Sequence, residues 1–314
     1  MKRLTTNQVK LGFIGMGNMG SRIAHRLLNH GYQLSVYDMD PAKTQVIAAE
    51  GAAVAENIGD LARTADVVLS CLTNDEAVRS VYTEPEGIFA GARSGTVVLE
   101  MSTISPGSSR ELHRLGARGG IDVLDVAISG STPAAEQGIL TLLVGGNPKI
   151  FRAAEPIFQA VAKQYFLLGG PGSGTAMKLV VNTLLGVGMQ AIAEAVVLGE
   201  KAGLDRERLL EVLSQTAVIA PAHVGKLAKA TINDYSPQFP LRLMNKDFQL
   251  ILAAAAQEQV HMPATEAAFY VNADELANLE LANHELAEND DEDFSAVLRR
   301  MEEVAGIAAV HSTR

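Results

Sequence analysis

The sequence predicts an α/β domain with a doubly wound, mostly parallel sheet, followed by an all-helical domain that begins with one long helix. Three observations support this fold class. Apolar strand-like segments alternate with helical segments over the first half of the chain, no strand pattern follows Glu200, and residues 172–200 form an apolar run without proline. Since single cores stop growing near this chain length of 314 residues, two domains are expected, residues 1–170 and 171–314.

The first strand, KLGFI, runs into a glycine triplet, Gly15, Gly17 and Gly20, and an amphipathic helix follows. The first glycine permits a tight turn, the second lets backbone approach a pyrophosphate, and the third allows close packing of helix and strand. The next strand ends in Asp38, whose carboxylate can accept hydrogen bonds from an adenosine ribose. The pattern predicts a Rossmann-type dinucleotide domain. Its predicted cofactor ligands are Gly15, Gly17, Asn18, Met19, Gly20 and Asp38.

Strands and helices continue to alternate up to a glycine-rich boundary. The segments are AAVAE, the helix around residues 58–64, ADVVLSCL, the helix from Asp75, TVVLEMST, the helix from Ser108, IDVLDVAIS, ILTLLVGG, the helix around residues 148–162 and QYFLLG. Ligands of such sheets bind at the carboxyl ends of the strands, so Leu72, Thr73, Ser102 and Thr103 are expected to line the cofactor crevice. The boundary GGPGSG is not a second dinucleotide loop, because Met177 stands where a third glycine would be.

The long helix over residues 172–200 would span roughly 40 Å. Its faces are nearly all apolar, and its glycines and alanines would let neighbouring backbones come close, so we expect burial on most sides. A membrane span is the competing interpretation. Asn182, Gln190 and Glu194 inside the segment, and the absence of a second apolar run of this length, argue against it.

Lys178 is the exceptional residue of this helix. Its neighbours are apolar, and the next charge is Glu194, so its ammonium must be paired or must open onto a wet cavity. Asn182 lies four residues on and shares its face, which would direct a cationic acid and a hydrogen-bonding amide into one space. A solvated helix edge is the alternative.

After Glu200 every segment is helical in pattern: DRERLLEVLSQ, the region around residues 223–230, NKDFQLILAAAAQEQ, TEAAFYVNADELANLEL and FSAVLRRMEEVAG. The acidic run ENDDED, residues 288–293, is expected to be a solvated loop that caps the last helix. We find no internal repeat.

Composition narrows the class of protein. A net charge of −10 argues against nucleic acid as a partner. The single cysteine, Cys71, excludes a disulfide framework, fits a reducing cytoplasm and is expected to be a small buried hydrophobe. The seven histidines show no metal-ligand spacing, and the basic start of the chain is not followed by a signal-peptide pattern. A soluble cytoplasmic protein without a metal site is predicted.

Four blocks in order resemble the β-hydroxyacid dehydrogenases, the family of 3-hydroxyisobutyrate dehydrogenase, tartronate semialdehyde reductase and the glyoxylate/succinic semialdehyde reductases. The blocks are GFIGMGNMG, DVAISGSTPAAEQG, GSGTAMKLVVN and KDF, and they cover nearly the whole chain. The resemblance implies a helical second domain that forms much of a dimer interface, hence a homodimer or homotetramer.

The resemblance also implies roles for individual residues. Ser129 and Gly130, with Ser131 in the same loop, would hold a substrate carboxylate. Lys178 would be the general acid/base and Asn182 a substrate-orienting residue. The family's lysine–aspartate pair falls on Lys246 and Asp247, with Lys246 close to the nicotinamide. The cofactor, NAD or NADP, would exchange hydride with a small hydroxy acid or the matching semialdehyde.

Departures from the family pattern leave the substrate open. Ser131 stands where many members have a second glycine, and Ala127 replaces the usual proline before the serine. NADP-using relatives carry an arginine just past the second strand, whereas this chain has Asp38, Met39 and Asp40, so we expect NAD. The alternatives are an imine reductase, which usually lacks the lysine, and a non-catalytic NAD-binding scaffold. A phosphogluconate-type dehydrogenase would need a larger helical domain.

Overall fold

The structure is a computed structural model that describes residues 3–6, 8–283 and 292–307. The chain divides into two units, Met1–Lys178 and Leu179–Arg314. This division falls within the long helix, whereas the domain boundary predicted from the sequence lies just before it.

One sheet of eight strands builds the first unit. The strands are β1 (Lys10–Ile14), β2 (Gln33–Tyr37), β3 (Ala53–Val54), β4 (Val67–Ser70), β5 (Val97–Glu100), β6 (Asp122–Ser129), β7 (Leu140–Gly146) and β8 (Ala162–Gly169). Their order is β3-β2-β1-β4-β5-β6-β7-β8. All neighbours from β3 to β6 are parallel, and the order of these six strands is that of the dinucleotide-binding fold. The predicted fold class is therefore confirmed.

Helices cover both faces of this sheet. They are α1 (Gly20–Asn29), α2 (Pro41–Ala49), α3 (Ile58–Thr64), α4 (Asp75–Thr83), α5 (Ile88–Gly91), α6 (Pro106–Arg118), α7 (Thr132–Gln137) and α8 (Pro148–Val161). Successive side chains of a strand point to opposite faces, as β1 shows. Phe13 belongs to the hydrophobic cluster that contains residues of α1 and α8, and Ile14 to the cluster that contains residues of α3, α4 and α6.

The last two strands run against the others, because β7 is antiparallel to β6 and β8 is parallel to β7. Only the short helix α7 lies between β6 and β7, too little chain for a parallel crossover, so β7 returns antiparallel. Neither α5 nor α7 was predicted from the sequence. Segments of four and six residues are too short to show helical periodicity.

The second unit is helical, as predicted. The helix α9 (Ser173–Lys201) begins in the first unit and continues into the second, where it is followed by α10 (Arg206–Ser214), α11 (Pro221–Thr231), α12 (Leu241–Gln257), α13 (Pro263–Asn283), a 3₁₀ turn (Phe294–Ala296) and α14 (Val297–Val304). One cluster, with Met189, Phe248 and Phe294 among its members, forms the core. Between Leu179 and Ile307, the described residues contain no strand and one isolated bridge, Pro240 to Asp293.

Most of the circumference of α9 is buried or half-buried, as predicted, and one face is exposed. Val180, Leu184 and Leu198 are 55%, 72% and 71% exposed. At about 100° per residue these three lie within about 40° of one another, so they form a single apolar stripe. Among the described helices α9 alone is long and apolar enough to cross a membrane by length and composition. The buried amides of Asn182 and Gln190 indicate a protein core instead.

The prediction for the acidic run also needs correction. Residues 288–291 lie outside the described part of the chain, but Asp293 is buried rather than solvated. It accepts a hydrogen bond of 2.6 Å from Nζ of Lys226 and caps the 3₁₀ turn through the N–H of Ser295. The Asp293 carboxylate can be buried because the ammonium of Lys226 and the backbone N–H of Ser295 donate hydrogen bonds to it.

Candidate active site

Gly15 lies where the order of the strands reverses, between β1 and β4, the position at which such sheets bind nucleotides. Its φ of +94° suits glycine, and a Cβ there would lie 2.3 Å from the carbonyl oxygen of Cys71, the residue that follows β4. Backbone from two neighbouring strands therefore meets at this point with no room for a side chain.

The other two glycines of the triplet have opposite surroundings. A Cβ at Gly20 would lie 1.9 Å from the carbonyl oxygen of Gly15, so the start of α1 packs directly on the loop. A Cβ at Gly17 would meet no atom within 4 Å. Gly17 thus faces open space, which the approach of a pyrophosphate requires, and no side chain caps α1 at Met19. Asn18 between them is exposed. These residues fit the predicted dinucleotide.

Asp38, at the end of β2, is hydrogen-bonded to the glycine loop. Its Oδ2 accepts from the N–H of Met16 at 2.6 Å, and its Oδ1 accepts from the N–H of Asp40 at 2.9 Å. Each carboxylate oxygen has two lone pairs, so both can accept a further hydrogen bond from a ribose hydroxyl. The half-buried carboxylate is therefore both a part of the loop and a candidate ribose ligand.

The structure brings together Leu72 and Ser102 from the loops after β4 and β5. Oγ of Ser102 accepts from the N–H of Leu72 at 2.8 Å. Leu72 and Thr103 are half-buried, and Thr73 is exposed. The two loops that were predicted to line the cofactor crevice are therefore connected by a hydrogen bond to the side chain of Ser102.

Glu100 lies beneath these loops and was missed by the sequence analysis. It is fully buried, accepts from the N–H of Ser102 at 2.7 Å and from the hydroxyl of Tyr82 at 2.7 Å, and also accepts from Oγ of Ser70. Burial raises the pKa of Glu100, although these hydrogen bonds oppose the shift. The signal was an acid that ends the apolar strand segment TVVLE.

The loop after β6 contains Ser129, Gly130 and Ser131. Gly130 has a φ of +140°, and a Cβ there would lie 2.8 Å from Cδ2 of Leu140, so only glycine fits. Ser129 is half-buried at the strand end, and Ser131 precedes α7 without capping it by a side-chain hydrogen bond. Two serine side chains therefore flank an exposed, sterically required glycine.

Lys178 and Asn182 both lie on α9 and differ in burial. Lys178 is half-buried, whereas Asn182 is not exposed at all. Nδ2 of Asn182 donates to Oδ2 of Asp247 at 2.5 Å, and Nζ of Lys246 lies 3.0 Å from Oδ1 of the same carboxylate. Within the helical unit, the structure thus brings together three of the residues that the family resemblance singles out, Asn182, Lys246 and Asp247.

Comparison with known proteins gives the same assignment for both halves of the chain. Residues 10–170 match the family described as the NAD binding domain of 6-phosphogluconate dehydrogenase, and residues 172–301 match the NAD-binding domain of NADP-dependent 3-hydroxyisobutyrate dehydrogenase. The chain is 33% identical over 301 residues to 2-(hydroxymethyl)glutarate dehydrogenase of Eubacterium barkeri, which covers 96% of this chain and 97% of that protein. It belongs to the β-hydroxyacid dehydrogenase family.

Two further comparisons support this membership. The NAD-dependent L-serine dehydrogenase of Pseudomonas aeruginosa is 36% identical over 253 residues, 78% of this chain and 85% of that protein. The solved structure of Mycobacterium tuberculosis 3-hydroxyisobutyrate dehydrogenase with L-serine superposes with a TM-score of 0.82 at 32% identity, covering 93% of this chain and 99% of that one. Imine reductases share the fold only, at 20% identity for the Myxococcus stipitatus enzyme. This family member is an NAD(P)-dependent dehydrogenase that acts on the CH–OH group of hydroxy acids.

Proposed function

We propose that this dehydrogenase exchanges hydride between NAD and a small β-hydroxy acid, with Lys178 as the general acid/base. One observation carries the proposal. Lys178 is the one charged residue on α9 between Ser173 and Ala193, and Asn182, one turn further along, is an amide held by a buried carboxylate. A titratable group on an otherwise uncharged, largely apolar stretch is expected where a proton has to be moved.

The residues divide the chemistry between them. The bound nicotinamide supplies the hydride acceptor or donor. Lys178 takes the hydroxyl proton during oxidation and returns it to the carbonyl oxygen during reduction. Asn182 orients the same oxygen, and the Ser129–Ser131 loop binds the carboxylate, so that the reacting carbon is held in one position. Lys246, paired with Asp247, lies beside the nicotinamide in this proposal.

The proposed substrate class rests on what the substrates of three relatives have in common. L-serine, 3-hydroxyisobutyrate and 2-(hydroxymethyl)glutarate all contain a CH₂OH group and a carboxylate on one carbon, and they differ in the third substituent of that carbon. The serine loop supplies hydroxyl and backbone donors that suit the shared carboxylate. We propose the same unit for the substrate of this enzyme.

The kcat/KM values of acids that differ only in the third substituent should identify the preferred substrate. The methyl esters of these acids should react poorly, because they lack the carboxylate that the loop binds. An equally efficient methyl ester would contradict the role of the loop.

We propose NAD rather than NADP as the preferred cofactor, because the carboxylate of Asp38 accepts from ribose hydroxyls and repels a 2′-phosphate. In Asp38→Asn the side-chain oxygen can still accept from the N–H of Met16, but the negative charge is removed. The ratio of kcat/KM with NAD to that with NADP should therefore fall at least about tenfold, by the loss of one like-charge repulsion. Equal efficiencies in the wild type would overturn the assignment.

The acid/base role is tested with Lys178→Met, which keeps the apolar stem and removes the ammonium. Turnover of the best hydroxy acid should fall by about 10² to 10⁴, the range for a positioned acid/base, while NAD binding and folding persist. Lys178→Arg should not restore the rate, since guanidinium stays protonated near neutral pH. A loss below about tenfold in the folded, NAD-binding variant would move the proton transfer to another group, with Lys246 the next candidate.

A further inference from the structure

The N-terminal turn of α9 is attached to the central sheet by a carboxylate. Oδ2 of Asp125, on β6, accepts from the N–H groups of Gly174 at 2.8 Å and Thr175 at 3.1 Å, and its Oδ1 accepts from the N–H of Gly172 at 2.9 Å. The first N–H groups of a helix have no partner within the helix and are usually satisfied by a residue next to it. Here the acceptor comes from a strand about fifty residues earlier, so the sheet fixes where the helix begins.

The close approach between Asp125 and the start of α9 depends on two glycines. A Cβ at Gly145, on β7, would lie 2.7 Å from both carboxylate oxygens of Asp125. A Cβ at Gly174 would lie 2.9 Å from Oδ2 and 2.4 Å from the carbonyl oxygen of Leu143. Any larger residue at either position would separate the helix from the strand.

The surroundings of Asp125 favour its ionised form. Its exposed fraction is 1%, and Nε2 of His113 lies 3.0 Å from Oδ1. Burial alone would raise the pKa of Asp125, but the hydrogen bonds from His113 and from the N–H groups of Gly172 and Thr175 hold it below its ordinary value. The carboxylate therefore also complements the positive end of the α9 dipole.

We propose that Asp125 is the positioning residue for Lys178, because it fixes the rotation and the axial position of the turn from which Lys178 projects. Gly174 and Lys178 are four residues apart, which places them on one face with a rise of about 6 Å between them. A shift of the first turn consequently carries the ammonium with it. The inference rests on the proposed acid/base role of Lys178.

The test is Asp125→Asn, which has nearly the same shape but loses the charge and replaces one acceptor by an NH₂ that faces backbone N–H groups. We expect kcat for the best hydroxy acid to fall about 10- to 100-fold, as for a small displacement of a catalytic group, with KM and the Kd for NAD within about threefold of the wild type. In the Lys178→Met background the same change should cost less than about twofold, because the group it positions is gone.

Variants of Asp122 and His113 test whether the loss of kcat is specific to the role of Asp125. Asp122→Asn, on the same strand, should leave kcat unchanged, since the Asp122 side chain makes no described hydrogen bond to α9. If Asp125→Asn does not fold, His113 supplies the measurement: His113→Gln can keep a donor to Asp125 and should retain most of kcat, whereas His113→Leu should lose about five- to tenfold more.

Three results would overturn the proposal. They are wild-type kcat in Asp125→Asn, an undiminished loss from Asp125→Asn in the Lys178→Met background, and equal rates for the two His113 variants. Failure of the acid/base assignment itself is recognised separately, because Lys178→Met alone would then retain its turnover.

Discussion

Asn182 and Asp247 share a hydrogen bond of 2.5 Å in the interior of the helical unit, where neither residue is more than 1% exposed. The amide is the donor, so the carboxylate dictates which way it faces. Oδ1 of Asn182 is left buried without a hydrogen-bond partner within the described structure. In the proposed mechanism Asn182 orients the substrate oxygen, so the carboxylate of Asp247 would also set the position of that amide.

Asp247→Ala should therefore damage both stability and turnover. Removal of the acceptor leaves a buried amide donor unpaired, which costs about 1 to 3 kcal/mol of the free energy of unfolding. Asp247→Asn can keep an acceptor oxygen toward Asn182 and should lose much less stability, although it gives up the ion pair with Lys246. Urea unfolding and steady-state rates of the two variants measure this. Equal stability of the Ala and Asn variants would show that the hydrogen bond to Asn182 contributes nothing.

Much of this architecture could be predicted from the sequence, because periodicity and glycine spacing are local signals. The glycine loop, Asp38 and the long helix were all predicted on such grounds. The hydrogen bond between Asn182 and Asp247 joins residues 65 positions apart and was not predicted, since the family resemblance singled out the two residues separately. Asp125 was merely the first letter of a matched block. That its carboxylate holds α9 depends on a tertiary contact, and no pattern along the chain encodes it.

Which face of α9 is exposed could not be predicted, for a related reason. Composition gives the amount of apolar surface but not the surface that covers it, and the stripe of Val180, Leu184 and Leu198 is exposed in the single chain. Asp293 is the converse case, since an acid in a charged run is buried once Lys226 reaches it.

Glu100→Gln should make stability less dependent on pH. The pKa of Glu100 is raised in the fold, so the folded state holds this proton more tightly than the unfolded chain, and the stabilisation is complete below the ordinary value of 4.5. It is lost as the pH rises from there through the folded-state pKa. Glutamine can serve Ser102 as an acceptor and Tyr82 as a donor without ionising.

The stability of Glu100→Gln relative to the wild type should consequently increase as the pH is raised above 4.5. Thermal unfolding midpoints between pH 4 and pH 8 measure this difference. Glu86→Gln, at an exposed glutamate in the same unit, is the matched control and should track the wild type. A constant difference between Glu100→Gln and the wild type across this range would contradict the prediction.

A second copy of this chain is expected to cover the exposed stripe of α9, giving a homodimer or a homotetramer. At about 100° per residue, Lys178 points about 160° away from Val180, so a change in the stripe leaves the face of Lys178 untouched. Leu184→Glu should lower the molecular mass measured by sedimentation to that of one chain, whereas Glu194→Gln on the same helix should not. A wild-type protein that is monomeric and fully active at micromolar concentration would rule out the dimer.

Gly17 and Gly20 offer the sharpest test of the cofactor site, because the same added methyl group has opposite consequences at the two positions. At Gly17 a Cβ meets nothing within 4 Å, so Gly17→Ala should fold with an unchanged unfolding midpoint. The methyl group would occupy the space that the pyrophosphate needs, and the Kd for NAD should rise about 10- to 100-fold, equivalent to about 1.4 to 2.7 kcal/mol. At Gly20 a Cβ would lie 1.9 Å from a carbonyl oxygen, so Gly20→Ala should instead destabilise the fold by about 1 to 3 kcal/mol, the range for overpacking. Titration of NAD by fluorescence and thermal unfolding of both variants separate the two effects. Unaltered NAD binding by a folded Gly17→Ala would mean that the pyrophosphate does not approach this loop.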